Sequence, residues 1–327
     1  MAAREINVRA LREGLAQALT EVRSGDRLIV TQHKEKIAAV VPIKDLLLLQ
    51  RAKEFSPMSI HTLFNHAGGS AKTTTVRELS HQLSKMGFKV LAVDLDSQAN
   101  LSEWLGFGDV PREHTVLPTM LDRKPLEVHP QYHAHGFDLI PANLNLVDIE
   151  DRLATPEIFQ FRNALRDVAR EHQYDFVFID ASPSGAKLSQ QACIAADSII
   201  CPVMPTVKGH TSLVTLNSLI DRIKPLNPGL KVSMYLLTNL NPTSTMNVHF
   251  QGELRARIEE LGVPLFSEGI RRRETVYEAA SYMMQPVTSL ERKTKIHGLK
   301  EAQEELQQMA EFVLGQLQVG ADQGVTL

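Results

Sequence analysis

One segment of this 327-residue chain combines small residues, a lysine and hydroxyl groups in an order that suits phosphate binding. It contains the consecutive residues Gly68, Gly69, Ser70, Ala71, Lys72, Thr73 and Thr74. Glycines let backbone N–H groups approach phosphate oxygens, and the amino end of a following helix adds partial positive charge. Lys72 is placed to bridge the β- and γ-phosphates of a nucleotide, and the Thr73 hydroxyl to bind Mg²⁺. The ordinary pattern GxxxxGK[ST] has glycine where this chain has His66 and Ala71.

Two acidic segments follow later apolar runs of the chain. The first contains Asp94 and Asp96 in the order Asp-Leu-Asp-Ser-Gln, and the second places Asp180 directly after four apolar residues. An aspartate after an apolar strand is the Walker B form of nucleotide-binding proteins. Together with the lysine-containing loop, these segments predict a site for a nucleotide and a divalent cation.

The elements that must position these segments alternate between apolar runs and helical patterns. The runs that we interpret as strands are residues 60–64, 90–93, 137–140, 176–179, 198–203 and 232–238. Largely apolar strands separated by helices are typical of a mostly parallel sheet that is covered on both faces. The sequence therefore predicts an α/β fold over residues 56–327, with a mostly parallel P-loop sheet and helices on both faces.

In this order, the three segments resemble the ParA/MinD family of P-loop ATPases. The deviant loop of that family reads KGGxxKTT and is followed by DxDxQ and by a Walker B DxxP motif, and the resemblance extends over residues 59–314 of this chain. It implies ATP and Mg²⁺ as cofactors and a homodimer that sandwiches the nucleotides. It also implies a protein that is cytoplasmic and associated with the nucleoid.

The resemblance also implies roles for single residues. Lys72 and Asp96 are expected to act in catalysis, with Asp96 positioning the attacking water. Asp180, together with Thr73, is expected to hold magnesium. Asn239, at the end of a late strand, matches the position that contacts adenine, although an asparagine after a strand is also a common turn residue.

The signature lysine of the family reaches across the sandwich dimer to the phosphates of the partner, and Ala67 stands at its position. The loss of one cation from the developing phosphate charge is expected to slow hydrolysis by roughly a few orders of magnitude. Three explanations are open: another cation substitutes, hydrolysis is weak, or the sequence is an engineered variant. Lys187, in the loop after the Walker B segment, is the candidate for this trans-phosphate contact, and a solvated loop lysine is the alternative.

Three consecutive arginines, Arg271, Arg272 and Arg273, resemble the late ParA segment that contacts DNA without sequence preference. Clustered arginines bind phosphates by charge, so the affinity should fall steeply with salt. The alternative is a solvated turn that pairs with Glu268 and Glu274. The C-terminal helical pattern is rich in glutamate and lacks the basic amphipathic character of membrane-binding helices. We therefore expect DNA, and no membrane, as a partner.

Residues 1–55 form a separate pattern, with ten lysine and arginine residues against seven acidic ones. Their predicted elements are, in order, a helix over 8–22, strands at 27–32 and 37–42 joined by a hairpin, and a helix at 43–52. This order resembles the N-terminal part of the Phd/YefM antitoxin family, which is a dimeric DNA-binding unit. The long toxin-binding tail of that family is missing.

This second resemblance implies that residues 1–55 bind specific DNA as a dimer, with Arg9 and Arg12 supplying contacts. A solvated basic face is the alternative reading of the positive charge. Residues 55–57 are the expected boundary because Pro57 interrupts the preceding helical pattern.

Composition limits the remaining classes of protein. A chain that is 43% hydrophobic and 22% charged, with a net charge of -3, is not wholly disordered. Cys193 and Cys201 match no zinc or redox spacing, and no apolar signal core or membrane-spanning stretch is present, so we expect a soluble cytoplasmic protein. We interpret His129, His133 and His135 as surface histidines rather than metal ligands.

The sequence therefore predicts a fusion of an antitoxin-like DNA-binding module with an ATP-dependent DNA partition or cargo-positioning ATPase of the ParA type. Its expected partner is a ParB-like or other adaptor protein. The alternative is a nucleotide-switched transcriptional repressor with little ATPase activity, which the poor P-loop and Ala67 favour. A metabolic enzyme of the related iron-protein or ligase type is disfavoured because the two cysteines are wrongly spaced for an intersubunit iron–sulfur site.

Overall fold

The computed structural model of the chain describes residues 4–33, 35–42, 58–152, 159–183, 187–291 and 295–322. The chain divides into two compact units, residues 1–56 and 57–327, which are described separately. The predicted helix at 43–52 and the predicted boundary at 55–57 lie outside the described residues. None of the described helices is long and apolar enough to cross a membrane.

The small unit is built on a three-stranded sheet. Its strands are β1 (Arg4–Asn7), β2 (Leu28–Gln32) and β3 (Glu35–Val40). The order is β1-β2-β3, with β1 parallel and β3 antiparallel to the central strand. The hairpin of β2 and β3 lies where the sequence predicts it, although β3 begins two residues early. Strand β1 was not predicted, because four residues carry too little apolar periodicity to indicate a strand.

Two short helices connect β1 to β2 in the small unit. They are α1 (Val8–Glu13) and α2 (Leu15–Arg23). The predicted single helix over residues 8–22 is wrong because Gly14 interrupts it with a φ of -118°. Asn7 begins α1, since its side-chain oxygen accepts a hydrogen bond from the Ala10 N–H at 2.8 Å.

The described part of the small unit contains a small cluster of buried apolar side chains. The cluster of buried side chains consists of Ala18, Val22 and Leu28. By contrast, Leu15 and Leu19 on α2 are 51% and 48% exposed. Because hydrophobic stabilisation scales with the apolar area removed from water, this cluster among the described residues of the small unit contributes little of it.

The large unit contains an eight-stranded sheet. Its strands are β4 (Ser59–Leu63), β5 (Val90–Leu95), β6 (His133–Ala134), β7 (Phe137–Ile140), β8 (Phe176–Ala181), β9 (Ser198–Val203), β10 (Val232–Leu237) and β11 (Leu265–Phe266). The order is β11-β10-β9-β4-β8-β5-β7-β6, and all neighbours are parallel except β6 and β7. The predicted α/β fold with a mostly parallel sheet is confirmed.

Helices alternate with these strands along the chain. They are α3 (Lys72–Lys85), α4 (Asn100–Glu103), α5 (Leu117–Asp122), α6 (Asp148–Arg152), α7 (Gln160–Glu171), α8 (Lys187–Ala195), α9 (Val207–Ile223), α10 (Thr245–Glu260), α11 (Glu274–Tyr282) and α12 (Leu299–Asp322). Every residue of β5, β8 and β9 is buried, so the middle of the sheet is covered on both faces.

The first strand of the sheet lies in its middle and defines where a ligand can bind. β4 pairs with β8 on one side and with β9 on the other. In open α/β sheets, ligands bind outside the carboxyl ends of the strands where the strand order reverses. The segment that joins β4 to α3 leaves the sheet at this point, and it is the predicted phosphate-binding loop.

Candidate functional site

The predicted phosphate loop turns sharply before α3. Gly69 and Ala71 both adopt left-handed backbone conformations, with φ values of 75° and 67°. Glycine adopts this conformation without strain, whereas alanine is destabilised there by about 1–2 kcal/mol. Ala71 is also the residue before the first turn of α3, and no side chain caps that end of the helix. The first N–H groups of α3 are therefore open to an anion.

Lys72 lies almost completely buried at the start of α3. Its Nζ donates a hydrogen bond to the carbonyl oxygen of Asn65 at 3.1 Å. Burial lowers the pKa of Lys72, and the nearby carboxylates of Asp180 and Asp96 oppose that shift. The ammonium group is thus held beside negative charge at the base of the loop, where a phosphate would compete for it.

Asn65 is a residue of the site that was not predicted from the sequence. Its side-chain N–H donates to the Pro202 carbonyl in β9 at 2.7 Å, and its side-chain oxygen accepts from the Ala67 N–H at 2.7 Å. Its backbone oxygen holds Lys72. Asn65 therefore ties the loop to the sheet, and the only sequence signal for this role is a polar residue directly after an apolar strand.

Two carboxyl groups are buried beneath the loop. Burial raises the pKa of Asp180 well above its usual range, with a further rise from Asp94 that Thr73 and Lys72 oppose. Burial also raises the pKa of Asp94 to about 7, although Asp94 accepts hydrogen bonds from the Ser102 N–H and hydroxyl at 2.9 Å and 2.8 Å. The site thus concentrates acidic groups close to one lysine.

Asp180 fits a divalent cation. Both of its carboxylate oxygens are buried and have no hydrogen-bonding partner among the described residues. The Thr73 hydroxyl lies near enough to lower the Asp180 pKa, although not in hydrogen-bonding geometry. The described residues contain no group of three or more His, Cys, Asp or Glu that could hold a metal ion. A single carboxylate is nevertheless enough for Mg²⁺ when phosphates and water supply the other ligands.

A cleft of about 900 Å³ opens above the loop. It brings together predicted site residues from distant parts of the chain, namely Gly68, Gly69, Ser70, Ala71, Lys72, Thr73, Thr74, Asp96, Asn239, Arg272 and Arg273. The side chain of Asn239 donates a hydrogen bond to the Gly69 carbonyl at 2.8 Å, so the loop itself is one of its contacts. The neighbouring Thr238 hydroxyl donates to the Ser70 carbonyl at 3.1 Å.

Ala67 and Lys187, the two positions considered for the trans-phosphate contact, lie differently. Ala67 is buried in the loop. Lys187 is the first residue of α8 and is not among the described residues that line the cleft. A contact with the phosphates of a partner protomer does not require Lys187 to line the cleft of its own chain.

The three predicted DNA-binding arginines do not form one uniform surface. The side chains of Arg271 and Arg272 are 60% and 58% exposed, and Arg272 pairs with Glu274. Arg273 is only 14% exposed and donates two hydrogen bonds to Glu305 at 2.5 Å and 2.8 Å. That pairing raises the pKa of Arg273 and ties it to α12.

The other predicted side chains lie away from the cleft lining or in the small unit. Arg9 and Arg12 are exposed on α1, and Arg9 pairs with Glu13 at 3.0 Å. His133 contacts Asp138 at 2.7 Å, and His135 contacts the Met284 carbonyl at 3.2 Å. The ring centroids of His129 and His114 lie 4.0 Å apart.

A family model described as AAA domain matches residues 58–232, which is more than half of the chain. The chain is a ParA/MinD-type P-loop ATPase. The match begins at the start of the large unit, and it covers the phosphate loop, both acidic segments and the central strands of the ATPase.

Sequence relatives agree with this family. A probable plasmid-partitioning protein ParA from Thermus thermophilus is 36% identical to this ATPase over 191 residues, 56% of this chain and 58% of that protein. The present chain thus spans less than two thirds of that relative. The chromosome-partitioning ATPase Soj from the same organism is 33% identical over 223 residues, which cover 67% of this chain and 84% of Soj.

Solved structures show the same fold as this ATPase. One of them is cobyrinic acid a,c-diamide synthase from Mycobacterium smegmatis, solved with bound ADP and magnesium. It is 26% identical to this chain with a TM-score of 0.57, and the match covers 69% of this chain and 92% of the synthase chain. A McdA–ATP complex from Cyanothece has a TM-score of 0.65 at 21% identity, over 79% and 97% of the two chains.

Proposed function

We propose that this chain is a ParA-type partition or cargo-positioning ATPase that binds MgATP in the cleft, dimerises on ATP and binds non-specific DNA. The small unit adds binding of specific DNA. The observation that supports the nucleotide site best is the unpartnered, buried carboxylate of Asp180, which lies beneath a phosphate loop whose Lys72 is held beside it.

Different residues of the cleft bind different parts of the nucleotide and its metal ion. The open N–H groups at the start of α3 and the Lys72 ammonium hold the phosphates. Asp180 and Thr73 hold Mg²⁺, which supplies charge neutralisation on the phosphate oxygens when it is bound. Asn239 lines the cleft, and the family resemblance implies that it contacts the adenine.

Asp96 is the carboxylate that we assign to the attacking water. It lines the cleft and is partly exposed, whereas Asp94 and Asp180 are buried. Its side-chain oxygen accepts a hydrogen bond from the Gln98 N–H at 3.0 Å, which fixes its orientation. A partly exposed carboxylate at the cleft can orient a water molecule without displacing the phosphates.

Hydrolysis is expected to be slow or to depend on a partner. Ala67 brings no cation to the position of the signature lysine. Lys187 of the second protomer is the candidate that compensates for it. If it does, Lys187→Ala lowers DNA-stimulated turnover by roughly ten-fold or more. If nothing compensates, wild-type turnover is very slow and Ala67→Lys raises it.

We assign non-specific DNA binding chiefly to Arg271 and Arg272. Both are exposed and lie next to the amino end of α11, where guanidinium groups can reach phosphates. Arg273 supports the same segment through Glu305. An ATP-dependent dimer doubles this surface. A ParB-like or other adaptor is the expected protein partner, and the nucleoid in the cytoplasm is the expected location.

Specific DNA binding is assigned to the small unit as a dimer. The small buried cluster among the described residues of this unit and the half-exposed Leu15 and Leu19 favour a second copy that covers this apolar surface. Arg9 and Arg12 on α1 supply the contacts to DNA. We propose that residues 1–55 form this DNA-binding domain and residues 56–327 the ATPase domain.

The second candidate function is a nucleotide-switched transcriptional repressor with little ATPase activity. The strained alanine at a glycine position of the loop favours it, together with Ala67.

Measurement of ATP turnover with and without DNA separates the two functions. DNA-stimulated turnover supports the partition ATPase. Nucleotide-dependent binding to one operator with negligible turnover in both conditions supports the repressor and overturns the first proposal.

A further inference from the structure

Ala71 holds a backbone conformation that its side chain disfavours, at the point where the loop enters α3. Its φ of 67° and ψ of 28° lie in the left-handed region. Something in the surrounding structure must therefore maintain the turn, because an alanine peptide unit left to itself prefers other conformations.

The carbonyl groups around Ala71 are held from two sides. The Thr238 hydroxyl, which follows β10, donates to the Ser70 carbonyl at 3.1 Å, and Asn239 donates to the Gly69 carbonyl at 2.8 Å. Within α3, the Thr75 hydroxyl donates to the Ala71 carbonyl at 2.7 Å. Thr238 is 1% exposed, so its hydroxyl is shielded from competing water.

We propose that Thr238 is a positioning residue that holds the loop in its phosphate-binding form and makes an alanine tolerable at position 71. In a planar trans peptide, the carbonyl and the N–H point in opposite directions. By holding the Ser70 carbonyl, Thr238 directs the Ala71 N–H away from β10. No described residue accepts a backbone hydrogen bond from that N–H. It is therefore left to join the open N–H groups of α3 in binding phosphate.

This inference rests on the proposed function, since it concerns how the same site is prepared for MgATP. A glycine at position 71 adopts the left-handed turn without strain, so the loop then needs Thr238 less. The dependence of nucleotide affinity on Thr238 should consequently fall when Ala71 is replaced by glycine. A purely structural hydroxyl would not show that coupling.

The test is a double-mutant cycle on the full-length chain, with calorimetric titration of a non-hydrolysable ATP analogue and Mg²⁺. Thr238→Val is expected to weaken the affinity about ten-fold, as expected for one lost hydrogen bond, and about two-fold or less in the Ala71→Gly background. Thr62→Val is the matched control, because Thr62 is equally buried and its hydroxyl has no partner among the described residues. It should leave the affinity unchanged.

Equal weakening by Thr238→Val in both backgrounds, or no weakening in either, overturns the inference while leaving the nucleotide site in place. A wild-type chain that binds no analogue overturns the proposed function itself. Urea unfolding of each variant shows whether the protein is folded. A loss of affinity that is caused by misfolding can therefore be recognised.

Discussion

Asp94 and Asp180 are register partners on the neighbouring parallel strands β5 and β8, so two buried carboxyl groups lie side by side below the phosphate loop. Burial is the main reason that both pKa values are raised, and in Asp180 the charge of Asp94 adds to the rise. Ionising both groups is therefore unfavourable until a cation reaches them.

The Asp94 carboxyl should make the nucleotide-free protein lose stability as pH rises. Its folded pKa of about 7 lies above its value of 3.8 in the unfolded chain. The stability that it contributes is therefore fully present below about pH 4 and is lost as pH rises towards about 7. Urea unfolding of Asp94→Asn should show a smaller fall over this range. The exposed Asp109→Asn variant should fall like the wild type, and identical slopes in all three proteins would contradict the prediction.

His61 should produce a pH dependence of the opposite sign. Burial lowers its pKa to about 4, while Ser198 and Ser59 hydrogen-bond its two ring nitrogens at 2.9 Å. Because the folded pKa lies below 6.5, stability present at neutral pH is lost as pH falls from about 6.5 to about 4. The loss at pH 5 is about 2 kcal/mol. Urea unfolding of His61→Gln should lack this component, and an unchanged difference between pH 5 and pH 8 would count against it.

Asp96→Ala is expected to leave MgATP binding largely intact while it traps the ATP-dependent dimer. The reason is that Asp96 is assigned to the attacking water and not to the phosphates. Light scattering with ATP should report a lasting dimer, and the exposed Glu103→Gln variant should behave like the wild type. A variant that stays monomeric with ATP would remove this role.

Substitutions in the arginine segment should have two different effects. Replacing Arg271 and Arg272 by alanine should weaken binding equally to two unrelated DNA duplexes and lower the salt slope by about two. Arg273→Ala should instead reduce the free energy of unfolding by about 1–3 kcal/mol, because it removes two hydrogen bonds to the largely buried Glu305, which among the described residues then keeps only its contacts with Arg271. Fluorescence anisotropy at several salt concentrations, with urea unfolding, distinguishes the two. An unaltered salt slope in the double variant would show that these arginines do not contact phosphates.

The sequence predicts most of the sheet and of the phosphate loop because both depend on local patterns. The strands at 137–140 and 198–203 have their predicted bounds, since each is a mostly apolar run. The two-residue strand β11 is too short to leave such a pattern.

Contacts between distant residues could not be predicted from the sequence. Thr238 and Ser70 are 168 positions apart, and Arg273 and Glu305 are 32 apart. Both pairs form only because the fold brings separate elements together. The break at Gly14 is different, because a single glycine inside a helical stripe is compatible with either a continuous or an interrupted helix.

The proposed function depends on MgATP binding by the loop around Lys72. This binding is tested by calorimetric titration of the full-length chain with Mg²⁺ and a non-hydrolysable ATP analogue. The wild type is compared with Lys72→Ala and with Lys85→Ala, which replaces an exposed lysine at the other end of α3. Lys72→Ala should weaken binding about a hundred-fold or more, because a methyl group replaces the charged donor to the phosphates, while Lys85→Ala should stay within about two-fold of the wild type. Equal affinity in Lys72→Ala and the wild type would contradict the assignment of the site.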